Sequence, residues 1–82
     1  MNATQQQVQM AAKLYECRDT AKRLFGEAYK ARMDAYGQTI KSMAKTTDMN
    51  ELQAAMHAAK ETGGIAAVCY LAAFVEMTEP SQ

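Results

Sequence analysis

The sequence contains no tryptophan, a single proline at Pro80 and a single histidine at His57. With no second histidine and no cysteine near His57, the chain lacks the ligand spacing of a zinc site. Its two serines, Ser42 and Ser81, lie outside any nucleophile-elbow motif. The Gly63-Gly64 pair lacks the strand, spacing and lysine of a phosphate-binding loop. We therefore predict no metal site, no cofactor and no enzyme activity.

Cysteine and long hydrophobic runs are also scarce. Cys17 and Cys69 do not form a Cys-x-x-Cys pair, and we interpret both as small buried apolar groups. No run reaches the 18 apolar residues of a membrane-spanning helix. The first seven residues have neither the basic nor the apolar segment of a secretion signal. We expect a cytoplasmic protein that does not contact a membrane.

The nine basic and nine acidic residues balance, but they are unevenly distributed along the chain. Residues 1–45 carry a net charge of +4 and residues 46–82 carry −4. We favour two halves that attract each other, within one chain or between two chains. The alternative is a basic first helix that binds nucleic acid, but acidic residues interrupt the basic series at Glu16, Asp19, Glu27 and Asp34.

What the sequence does contain is an uninterrupted apolar run at 65–75, Ile-Ala-Ala-Val-Cys-Tyr-Leu-Ala-Ala-Phe-Val. Its alanines favour a helix over a strand. On a helical wheel the run is apolar on every face, so it must be covered on every face. Since the rest of the chain is the nearest cover, we expect this helix to be the centre of the fold.

A long helix is predicted before this run. Thr4 and Gln7 fit a capping box, and apolar residues at helical spacing continue as far as Met43. The pattern keeps its phase through both Gly26 and Gly37, so we predict one helix over 4–45. We expect any kink to lie at Gly37.

Two shorter helices are predicted next. Asp48 and Glu51 form a second capping signature, so a helix over 48–62 should follow and end at Gly63-Gly64. The apolar run then forms a helix over 64–77, and residues 78–82 form a disordered tail. We predict a single all-α domain over 1–82, a small antiparallel helical bundle or helical hairpin.

The length of the first helix suggests association with another chain. About 40 helical residues reach about 60 Å, whereas a compact domain of this size is about 30 Å across. The helix must bend at a glycine or pack its surplus length against another chain. Because small cores are marginal, we predict a homodimer that uses a seam of small residues, Ala66, Cys69 and Ala73.

For function we predict a non-catalytic protein-binding module, a small inhibitor or adaptor that is encoded by a phage or mobile element and binds a host protein or complex. Small size, helices and missing catalytic motifs are typical of phage and plasmid accessory proteins, including anti-CRISPR-type inhibitors, although no particular residue carries that likeness. The candidate partner-binding residues are the apolar and rim positions of the first helix: Met10, Leu14, Tyr15, Arg18, Lys22, Arg32 and Met33. We interpret three other methionines, Met43, Met49 and Met56, as core-filling.

Two alternatives stay open at this point. A nucleic-acid-associated accessory protein would use the same basic residues on phosphates. A purely structural homo-oligomeric subunit would use the apolar surface only on itself.

Overall fold

The computed structural model describes residues 4–79, which form α-helices and no strand. Helix α1 spans Gln5–Phe25 and is followed by a 3-10 turn at Gly26–Ala28. Helix α2 spans Tyr29–Thr46, α3 spans Glu51–Thr62 and α4 spans Gly64–Thr78. The all-α prediction is confirmed for this part of the chain.

The prediction of one continuous helix over 4–45 is wrong, because the chain turns at Gly26. This residue adopts φ 53°, a backbone conformation that is unfavourable for any residue with a Cβ atom. Gly37, the expected kink, lies buried inside α2, where an added Cβ would be 3.4 Å from the Cγ atom of Met77. The two glycines therefore differ: Gly26 permits a change of direction, whereas Gly37 is an ordinary helical position packed against Met77 of α4.

Capping boxes define the starts of α1 and α3. The predicted Thr4–Gln7 box is confirmed by two hydrogen bonds. The backbone N–H of Gln7 donates to Thr4 Oγ1 (N to O distance 3.1 Å), and the backbone N–H of Thr4 donates to Gln7 Oε1 (2.9 Å). The box of α3 uses Asn50 and Gln53 instead of Asp48 and Glu51. Both reciprocal hydrogen bonds form there, at 2.8 and 3.0 Å, so α3 begins at Glu51 and not at 48.

The predicted break between the last two helices is confirmed. Gly63 adopts φ 67°, and its amide donates to the Ala59 carbonyl to end α3. Helix α4 continues to Thr78, whose hydroxyl donates to the Phe74 carbonyl. Of the predicted tail at 78–82, Thr78 thus belongs to α4, Glu79 follows it directly, and residues 80–82 lie outside the described part of the chain.

Helix α4 is the centre of the fold, as the apolar run predicts, and it contacts each of the other three helices. Helix α2 runs antiparallel to α4, because the start of α2 contacts the end of α4. The Tyr29 hydroxyl donates to the Glu76 carboxylate at 2.6 Å. Farther along α2, the ring of Tyr36 packs edge-on against that of the earlier α4 residue Tyr70, with 4.9 Å between the ring centres. No Cα atom of α1 comes within 8 Å of a Cα atom of α3. Helices α1 and α3 therefore both pack on α4, with their backbones farther apart than 8 Å.

The predicted self-association seam lies mostly inside this fold. Cys69 and Ala73 are 0% exposed, and Ala66 is half-buried. Small side chains at these positions let neighbouring helices of the same chain approach α4 closely. Cys69 and Ala73 are therefore covered by helices of their own chain in this fold, and self-association through this seam stays a prediction.

Met33 is also buried, at 3% exposure, within the core cluster that includes Ile40 and Ala72. The prediction that Met33 contacts a partner assumed a straight first helix that extends beyond the domain. Because the chain bends at Gly26, α2 returns along α4 and Met33 enters the core.

The described residues fit within 38 × 29 × 27 Å. The bend therefore removes the surplus helix length that suggested a second chain, and the homodimer stays a prediction. Over residues 4–79, none of the helices has the length and hydropathy needed to cross a membrane.

Candidate protein-binding groove

Helices α1 and α3 lie on either side of α4 and leave a groove of about 570 Å³ between them. Helix α4 forms its floor. The lining residues come from the first half of α1, from α3 and from the first half of α4: Gln6, Gln9, Met10, Lys13, Leu14, Cys17, Leu52, Met56, Ala59, Lys60, Ala67, Val68 and Leu71.

The groove is predominantly apolar. Val68 and Leu71 on the floor are only half-buried, and so is Leu14 on the α1 wall. Met10 and Met56 are 39% and 42% exposed, although both are large hydrophobic residues. The rest of the chain thus leaves one face of α4 uncovered, and unbranched methionines that can adapt to varied shapes lie at its edges.

The rim of the groove is polar and basic. Gln6, Gln9 and Lys13 line it from α1, and Lys60 lines it from α3. No lining residue is acidic. In every ion pair found over residues 4–79 the basic partner is Arg18, so neither Lys13 nor Lys60 is paired with a carboxylate there.

Of the predicted partner-binding residues, Met10 and Leu14 lie in the groove, whereas Tyr15 and Arg18 hold α1 against the end of α4. The Tyr15 hydroxyl donates to the Glu79 carboxylate, and Arg18 Nη1 lies 3.6 Å from the same carboxylate. That hydrogen bond, together with the negative charge of Glu79, raises the pKa of Tyr15. These two side chains therefore position the α1 wall.

Lys22 and Arg32, also predicted to bind a partner, lie over aromatic rings of their own chain. The Lys22 Nζ atom is 5.7 Å from the centre of the Tyr29 ring, and the Arg32 guanidinium is 5.3 Å from that of Phe25. Burial, and then the hydrogen bond to Glu76, raises the pKa of Tyr29. Because Lys22 lies over the Tyr29 ring and Glu76 accepts from its hydroxyl, both side chains would have to move before Tyr29 could stack on a nucleic-acid base.

Of the thirteen residues that line the groove, eleven were not among the predicted site residues, and these include Leu52, Met56, Lys60, Val68 and Leu71. Met56 was predicted to fill the core, and its exposure shows that it lies at the edge of the groove. The signal that could have identified the floor is the all-round apolarity of α4. A helix of that kind has an uncovered face whenever its neighbours leave a gap.

Cys17 and Cys69 are free and buried, as predicted, and burial raises the pKa of both thiols. His57 is exposed on α3. Within residues 4–79 there is no group of three or more histidine, cysteine or acidic side chains that could hold a metal ion.

No family model, curated protein or solved structure matches the chain.

Proposed function

We propose that the chain is a non-catalytic protein-binding module, an inhibitor or adaptor, whose groove receives an amphipathic helix of another protein. The observation that supports this most directly is the uncovered apolar face of α4 between two helices whose backbones stay farther apart than 8 Å. Laying the apolar face of a helix into such a groove is a common mode of peptide recognition.

The side chains in the groove retain apolar area that a partner could bury. Fully burying an aliphatic or methionine side chain contributes about 1.5–3 kcal/mol, and Leu14, Val68 and Leu71 are only half-buried. Met10 and Met56 are more exposed, so a partner could bury more of their apolar surface. A partner that covers all five gains from several such terms at once.

The size of the groove fits one helix. Its α1 wall extends from Gln6 to Cys17, which is about 17 Å or three helical turns. Its volume lies in the range of about 300–1,000 Å³ that is typical of small-ligand pockets. The groove therefore has room for the apolar side chains of one helix face, while the backbone of that helix stays at the rim.

A display selection with random helical peptides tests the proposal without knowledge of the natural partner. Ala67 is half-buried in the groove, so Ala67→Trp should fill it. Ala35 is exposed on α2 outside the groove, which makes Ala35→Trp the matched control. We expect the native chain and Ala35→Trp to enrich peptides with apolar residues at i, i+3, i+4 and i+7. Ala67→Trp should enrich none.

Equal enrichment by all three proteins would place binding outside the groove and contradict the proposal. Enrichment by none of them would contradict it as well. The nucleic-acid alternative would be favoured instead if duplex DNA or RNA binds at physiological salt and Lys22→Glu with Arg23→Glu removes that binding.

A further inference from the structure

We infer that the partner helix carries carboxylates on both flanks of its apolar face, where they meet Lys13 and Lys60. This inference rests on the proposed function and adds the chemical class of the partner. Lys13 lies on the α1 wall and Lys60 on the α3 wall, so the two ammonium groups flank the groove from opposite helices.

The charges that line the groove are all positive. Lys13 and Lys60 are its only charged lining residues, and both are exposed. A lysine can lay its methylene stem along an apolar wall while its ammonium group stays in water at the rim. The amides of Gln6 and Gln9 complete the rim on the α1 side and can both donate and accept hydrogen bonds. A helix with acidic flanks thus matches the rim, and one with basic flanks is repelled.

A second copy of this chain does not offer a free helix of this kind. Its acidic C-terminal half consists of α3 and α4, and both helices already bury alanine-rich faces in the core. Glu76 and Glu79 are further occupied by Tyr29, Tyr15 and Arg18. The occupant that fits best is therefore a helix from a different protein.

The test uses two synthetic helical peptides of about 12 residues, long enough for three turns. Both carry leucine at i, i+3, i+4 and i+7. One has glutamates on both flanks of the leucine face, and the other has lysines at the same positions. Binding is measured by fluorescence anisotropy to the native chain, to Lys13→Glu with Lys60→Glu, and to Lys30→Glu with Lys45→Glu. The last variant is the control, since both of its lysines are exposed outside the groove and the net charge changes equally.

We expect the native chain and the control variant to prefer the glutamate peptide by about tenfold, the size that a few exposed charge pairs produce. The Lys13→Glu, Lys60→Glu variant should prefer the lysine peptide. Both preferences should shrink as salt is added. Ala67→Trp should bind neither peptide.

The contrary outcomes separate the two proposals. If both peptides bind the native chain equally and Ala67→Trp abolishes binding, the groove binds helices but the inference about carboxylates is wrong. If neither peptide binds, or if Ala67→Trp binds as the native chain does, the proposed function fails with it. If sedimentation shows a native dimer that Ala67→Trp converts to a monomer, the occupant is a second copy and the inference is overturned.

Discussion

The two faces of α4 are built differently. On the face toward α2, small residues such as Cys69 and Ala73 are fully buried, and Ile40 of α2 is also 0% exposed. On the face toward α1 and α3, larger residues such as Val68 and Leu71 stay half-exposed. One apolar helix thus has a closed face that stabilises the fold and an open face that its neighbours leave partly uncovered.

Small side chains contribute to the close packing of the face toward α2. Small groups let helix axes approach toward the short end of the usual range of about 8–10 Å, and this is how α2 closes over Ala73. Hydrophobicity alone would not distinguish the faces, because the run at 65–75 is apolar throughout. An apolar helix can therefore serve as a core on one side and as a binding surface on the other.

The largest expected loss of stability comes from a substitution on the closed face. Ile40→Ala should lower the free energy of unfolding by about 2–5 kcal/mol, because it removes a fully buried side chain from a packed core. Leu71→Ala on the open face should cost only about 1 kcal/mol, since the side chain is half-exposed already. Urea denaturation measures both. Equal losses would show that the open face is packed as tightly as the closed one.

The two glycines provide the next comparison. Gly26→Ala should destabilise the chain by about 1–3 kcal/mol, because alanine is strained at φ 53°. Gly37→Ala should instead stabilise it by up to about 1 kcal/mol, since alanine favours a helix and the flexible Met77 side chain can yield slightly. Thermal unfolding followed by circular dichroism distinguishes the signs. If both substitutions destabilise the chain equally, the packing around Gly37 leaves less room for a Cβ atom than its contact with Met77 indicates.

The smallest effect concerns the Tyr29–Glu76 hydrogen bond, which joins α2 to α4 at the closed face. Since the pKa of Tyr29 is raised in the folded state, this stabilisation is complete below the ordinary tyrosine pKa of about 10 and is lost as pH rises above it. At neutral pH, Tyr29→Phe should cost up to about 1 kcal/mol. The native chain should then lose more stability than the variant above about pH 10. Equal losses in urea titrations at each pH would contradict this role.

Local signals predicted much of the fold. The Thr4 capping box, the end of α3 at Gly63 and the extent of α4 follow from chemistry within a few residues of each position. The break at Gly26 could not be predicted in this way. Gly26 and Gly37 cost a helix the same in propensity, and only the tertiary structure distinguishes them, through the positive φ of Gly26 and the buried helical position of Gly37. The start of α3 was also mispredicted, because the N-cap is Asn50 and not Asp48.

The groove was predicted only in part, for a related reason. The stripe on α1 placed Met10 and Leu14 correctly on an apolar surface. Val68 and Leu71 belong to a run that is apolar on every face, so sequence alone does not say which face stays open. That depends on the gap between α1 and α3, which is a property of the tertiary structure.

The methionines allow a direct measurement of the difference between the two faces. Their methyl groups can be labelled with ¹³C and followed by NMR while the glutamate-flanked peptide is added. We predict that the signals of Met10 and Met56, which line the groove, will shift, and that those of Met33 and Met77, which lie on the closed side, will not. Shifts at Met33 and Met77 without shifts at Met10 and Met56, or no shift at all, would contradict the assignment of the open face as the binding surface.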